Sequence, residues 1–144
     1  MKTLLLAVCL LMTQITFAQT KGNGTFYSED IDTVEFNWSK ETHINKIDSL
    51  YMTIYNWKIG SDQYRLGLIY AQTIDLITFR IWLDGDEIGR GELGLDQFKN
   101  SDDLFVYNDG ESDVLKFRFE SSKKPLIDVI SIKPIWYVTT FIKF

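Results

Sequence analysis

Few residues of this chain could do covalent chemistry. His43 is the only histidine and Cys9 the only cysteine among 144 residues. A Ser-His-Asp arrangement would have to be built around His43, which follows the polar stretch Lys40-Glu41-Thr42 and reads as a solvated loop histidine. No G-x-S-x-G element occurs. One histidine does not supply a zinc ligand set, and Gly22-Asn23-Gly24 precedes no helix that could receive a phosphate. Carboxylates are plentiful, with 20 Asp and Glu. A pair such as Glu35 and Glu92 could in principle run glycoside hydrolysis, but solvent-facing strand positions are the plainer reading of both. The chain therefore reads as non-catalytic.

Two non-covalent chemistries have better material. Between Asp84 and Asp113 the chain is dense in carboxylates, opposed only by Arg90 and Lys99. Ca²⁺ takes about six to eight hard oxygens, and Asp84-Gly85-Asp86 could turn two carboxylates, Asp84 and Asp86, toward one structural calcium. The second chemistry is aromatic. If Leu50, Met52 and Ile54 face the core, then Tyr51, Tyr55 and Trp57 project from the other face of the same strand. By the same alternation Arg80 and Trp82 lie opposite Phe79 and Ile81. In one sheet, Tyr51, Tyr55, Trp57, Arg80 and Trp82 would form a platform on which pyranose rings stack while charged groups fix the hydroxyls. The expectation is a carbohydrate-binding module. The other reading, from a different class, is a structural or protein-interaction subunit of a bacterial envelope, which would capture its partner by strand addition at the C-terminal strand, Ile135 to Phe144.

A short segment also resembles a known family. Phe79-Arg80-Ile81-Trp82-Leu83-Asp84-Gly85-Asp86-Glu87-Ile88-Gly89 is similar to the end of a C2 domain, where a strand leads into an aspartate-rich calcium loop and then an Ile-Gly pair, and Ser61-Asp62-Gln63-Tyr64 looks like that family's first calcium loop. The resemblance implies a β-sandwich. The interval between the two segments is shorter than the family's, so its function is not carried over.

The elements that must position these groups are strands. Val34, Phe36 and Trp38 alternate with polar residues, as do Tyr64, Leu66, Leu68 and Tyr70, then Ile77, Phe79, Ile81 and Leu83, and later Leu115, Phe117 and Phe119. Gly60-Ser61-Asp62, Asp84-Gly85-Asp86 and Asn108-Asp109-Gly110 mark turns. One helical turn is expected over 94–103, around Leu95 and Phe98. About eight or nine short strands predict an antiparallel β-sandwich of jelly-roll or immunoglobulin-like type, with a closed β-barrel as the second architecture.

Residues 1–18 read as a cleavable signal peptide. Lys2 precedes an apolar run from Leu4 to Met12 that is too short to span a bilayer, and Thr16-Phe17-Ala18 offers small residues before Gln19. Residues 19–30 read as a loose lead-in and 31–144 as one domain, secreted or periplasmic, with no integral membrane segment after cleavage. A formal charge of −5 and the lack of a basic stripe argue against nucleic acid as a partner. Asn23-Gly24-Thr25 and Asn37-Trp38-Ser39 match the glycosylation sequon; the short leader looks bacterial, which makes these chance matches.

Overall fold

The computed structural model describes residues 16–28, 31–94, 104–111, 113–119, 127–133 and 137–142. They form ten strands: β1 (Thr16–Ser28), β2 (Ile31–Asn45), β3 (Leu50–Ile59), β4 (Asp62–Ala71), β5 (Leu76–Leu83), β6 (Asp86–Gly94), β7 (Leu104–Asn108), β8 (Asp113–Phe119), β9 (Ile127–Ile132) and β10 (Tyr137–Ile142). All belong to one antiparallel sheet in the order β6-β5-β4-β3-β2-β1-β10-β9-β8-β7. The all-β antiparallel reading holds, and the sheet is nearly closed into a barrel. Sheet neighbours are chain neighbours throughout, except that β1 pairs with β10 in the middle of the sheet, while the consecutive strands β6 and β7 lie at its two ends. The seam therefore falls between β6 and β7. The helical turn expected over 94–103 lies outside the described residues apart from Gly94, which ends β6.

Three hairpins show why these residues make these turns. Gly60 alone has positive φ in the Gly60-Ser61 turn, as a type II′ hairpin requires. Asp84 and Gly85 both have positive φ (50° and 89°), the signature of a type I′ Asp-Gly turn. In the loop after β2, the Asn45 side-chain oxygen accepts from the backbone N–H groups of Ile47 and Asp48, an Asx turn.

The interior is filled by rings. Phe141 of β10 packs on Phe36, Trp38, Tyr55 and Trp57, with ring centroids 4.9 to 6.2 Å away. Trp57 also stacks flat on Tyr64 at 5.5 Å. On the other side, Tyr70 meets Phe119, and Phe105 stacks on Phe117. The β6/β7 seam is joined from inside. Tyr107 of β7 sets its ring edge against Phe79 of β5 at 5.0 Å, and a Cβ at Gly91 of β6 would lie 2.5 Å from Phe79 and 2.7 Å from Tyr107.

Polar groups inside are matched. Lys40, only 7% exposed, reaches from β2 to Asp128 of β9, with Nζ 2.6 Å from Oδ1. The N–H of Val129 donates to the Tyr55 phenol at 3.0 Å. Trp57 Nε1 is the exception among the described residues: it is buried with no hydrogen-bond partner. Such a group costs about 1–3 kcal/mol, a cost set against the ring contacts that hold Trp57 inside.

The chain near its start differs from expectation. β1 begins at Thr16, three residues inside the expected leader, and residues expected as a loose lead-in from 19 onward continue it to Ser28, paired with β2 on one side and, from Asn23, with β10 on the other. The physical reason is close approach. A Cβ at Gly24 would sit 2.4 Å from the Phe36 ring and 2.6 Å from the Thr140 carbonyl oxygen, so the glycine that reads as a loop residue admits a core ring.

Gly91→Ala should destabilise the fold by about 1–3 kcal/mol, the usual cost of overpacking, read as a lower urea midpoint. Burial pushes the Tyr55 and Tyr70 phenols above their ordinary value of 10.0; an Asp75 hydrogen bond adds to the rise for Tyr70, while the Val129 amide opposes it for Tyr55. The native state therefore holds these protons more tightly than the unfolded chain. Their contribution is fully present below about pH 10 and is lost as pH rises above it. Stability measured from pH 8 to 11.5 should fall only in the upper part of that range, and less steeply in Tyr70→Phe.

Candidate functional site on the outer face of strands 1 to 5

The pairing register decides which side chains face outward. The two-residue turn at Gly60-Ser61 sets Trp57 opposite Tyr64 and Tyr55 opposite Leu66, and these four residues are buried. Tyr55 and Trp57 are 1% and 3% exposed, and Tyr51 packs on Tyr70 beside the same core. Arg80 and Trp82 lie on the opposite face of the sheet, alternating with buried Phe79 and Ile81 on one strand. The expected platform is thus split. Tyr51, Tyr55 and Trp57 build the interior, and only Arg80 and Trp82 are presented outside.

Outward-facing residues nevertheless converge. Lys21, Ser39, Asn56, Arg65 and Trp82 stand opposite one another in turn across β1 to β5. At about 4.8 Å per strand this row runs roughly 19 Å across the sheet. It is the spine of a groove of about 880 Å³. Flanking the row are Asn37 of β2, Lys58 of β3 and Gln63 of β4. Among the described residues the lining holds three cations, three amides, a serine and the outward Trp82 indole, with Gly85 and the buried Trp38, Trp57 and Tyr64, and no carboxylate. Its size falls within the roughly 300–1,000 Å³ common for ligand sites.

Trp82 owes its position to two local features. Opposite β5, the ladder slips between Ile81↔Gly89 and Trp82↔Glu87, so Ile88 is the extra residue of a β-bulge. Beside it, Gly67 of β4 leaves room for the indole, whose Cζ3 would be 3.2 Å from a Cβ there. Trp82 and Arg65 form the ridge between this groove and a neighbouring one of about 640 Å³. The second groove is floored by Met52, Ile54 and Ile69 and edged by Arg80, Arg90 and Glu92. Arg90 is ion-paired with Glu87.

The other expected groups do different work. Asp84 sits in the turn with its Oδ1 accepting from the Gln63 backbone N–H at 2.8 Å, while its own N–H donates to the Gln63 carbonyl at 2.8 Å. It ties the β5–β6 turn to the start of β4 and so holds one end of the groove. Asp86 is exposed and pairs with Leu83. No group of three or more metal-ligating side chains occurs among the described residues. His43 lies on β2 rather than in a loop, with Nε2 3.4 Å from Glu41 Oε2. Glu35 and Glu92 are on β2 and β6, four strands apart and roughly 19 Å along the sheet, beyond the carboxyl spacing of glycoside hydrolysis. The last strand, expected as an adhesive edge, is bordered on both sides, by β1 and by β9.

No protein-family model, no curated protein and no solved structure matches the chain.

The Asp84 contacts predict a structural role independent of metal. In buffer containing chelator, Asp84→Ala should lower unfolding free energy by about 1–2 kcal/mol, from one lost hydrogen bond and a positive-φ position that alanine tolerates poorly. Asp84→Asn, which keeps an acceptor and accepts that conformation, should lose less. A loss that appears only when Ca²⁺ is added to the wild type would show a metal role instead.

Proposed function

We propose that this protein is a non-catalytic, exported binding module that takes carbohydrate in the outer groove of β1 to β5. The single observation that carries the reading is the lining itself: an indole at one end of a channel whose other strands present three amides, a serine and three cations. A pyranose ring offers an apolar C–H face and a rim of hydroxyls. Trp82 supplies a flat apolar surface for the first. Asn37, Asn56 and Gln63 each carry both donor and acceptor atoms for the second. All three project from strands, so little conformational entropy is lost when they engage a ligand. Export is read from the leader at residues 1–18.

The groove also suits an extended ligand better than a compact one. It is open to solvent and crosses the strands.

A glycan panel, followed by titration calorimetry on the best ligand, tests the proposal. Trp82→Ala should weaken binding about tenfold or more, equivalent to about 1.4 kcal/mol, with the melting temperature unchanged within a few degrees. Trp57→Ala should instead lower stability by about 3–5 kcal/mol, as a large core deletion. Absence of binding across the panel, or equal affinity of wild type and Trp82→Ala, would overturn the proposal.

A further inference from the structure

The groove's charge is opposite to that of the chain around it. Acidic residues outnumber basic ones, 20 to 15, yet among the described residues the lining contains Lys21, Lys58 and Arg65 and no Asp or Glu. None of these three makes an ion pair among the described residues. Where a carboxylate does come close, in the turn at Asp84, its Oδ1 accepts from the Gln63 backbone N–H.

A donor and acceptor inventory sharpens the point. Lysine and arginine only donate, and so does the Trp82 indole N–H. The amides and the serine are balanced, each able to give and to accept. The groove is therefore rich in donors. A neutral sugar hydroxyl both gives and accepts, and brings no charge to match these cations. A carboxylate or sulfate ester accepts only, and a charge-assisted bond to it is about twice as strong as a neutral one. Arg65 stands fourth in the row, between Asn56 and Trp82, where its planar fork can hold a carboxylate or sulfate while the sugar ring stacks on the neighbouring indole.

We infer that the ligand is a polyanionic glycan, a chain of pyranoses bearing carboxylate or sulfate groups, laid across β1 to β5 with Trp82 under a ring and Lys58 and Arg65 on its anions. This rests on the carbohydrate reading above and names the class of sugar. Nucleic acid offers anions and stacking faces too, and the thymidine oligomer in the test separates it from an acidic glycan.

Binding is measured for polygalacturonate and its methyl ester, for a sulfated galactan and its desulfated form, and for a single-stranded thymidine oligomer. At least one acidic form should bind about tenfold or more tightly than its neutral counterpart, and that preference should shrink as salt is raised from 50 to 300 mM. The Lys58→Gln/Arg65→Gln double variant should bind acidic and neutral forms alike. Both positions are exposed, and an unchanged melting curve would show that the variant folds. Equal affinity for acidic and neutral forms in the wild type overturns this inference and leaves the carbohydrate reading standing. Failure of every glycan to bind overturns both. Thymidine oligomer binding as tight as the best glycan would mark a general polyanion site and also overturn the inference.

Discussion

Phe141 is the contact on which the rest of the architecture depends. It comes from the last strand, yet its ring lies against Phe36 and Trp38 of β2 and Tyr55 and Trp57 of β3. Those contacts span the whole sequence, and β1 slots between the two groups by pairing with β2 and β10 at once. A sheet whose final strand must reach the inner face of its second and third strands has to curl. Once curled, its inner surface is committed to rings. The Lys40–Asp128 pair and the Val129–Tyr55 hydrogen bond then join the same two regions by polar contacts, of a kind that fixes geometry more than it adds stability.

This commitment decides what is left for the solvent side. With Trp57, Tyr55, Tyr64 and Leu66 inside, the residues between them, Asn56 and Arg65, must face outward. The same alternation puts Ser39 and Lys21 outside next to buried Trp38 and Gly22. The outer row is therefore a by-product of the inner one, read one residue out of phase. What the row gains locally is shape. The bulge at Ile88 and the missing side chain at Gly67 let Trp82 lie against the sheet and divide the surface into two channels. The Asp84–Gln63 contacts lock the two hairpins that carry its end.

Much of this was legible in the residues, and the errors are instructive. Alternation gave strands, and polar interruptions gave turns at Gly60 and Asp84 that the backbone bears out. In β5 the polar partners of Phe79 and Ile81 made the outward assignment of Arg80 and Trp82 plain. In β3 both alternating sets are apolar, Leu50-Met52-Ile54 against Tyr51-Tyr55-Trp57, so hydropathy could not choose between them. The neighbouring strand could have chosen. A two-residue turn at Gly60-Ser61 pairs Tyr55 with Leu66 and Trp57 with Tyr64, and Leu66 and Leu68 are inward by their own alternation with Arg65 and Gly67. Side-chain facing is a property of the pair of strands. The missed first strand has another cause: Lys21-Gly22-Asn23-Gly24 has loop composition, and its need for glycine appears only once Phe36 is folded over it. The outer groove could not be seen from sequence at all, because its row draws one residue from each of five strands.

A barrel of this strand number could have held its ligand inside, as larger closed sheets do. Here the interior is occupied by rings, and the seam, the natural entrance, is stopped by Tyr107 against Phe79 and Gly91. The proposed recognition is therefore placed on the outer surface, where charge can be sorted by position. A net charge of −5 on the whole chain acts on an approaching polyanion only weakly beyond the Debye length of about 8 Å at physiological salt. Within the groove the nearest charges are Lys21, Lys58 and Arg65. An acidic body with a basic channel thus penalises anionic polymers that lie anywhere else on the surface and rewards those aligned across the strands. The same excess of carboxylates that makes the chain look unsuited to anions is what would make a cationic channel selective for one way of binding them.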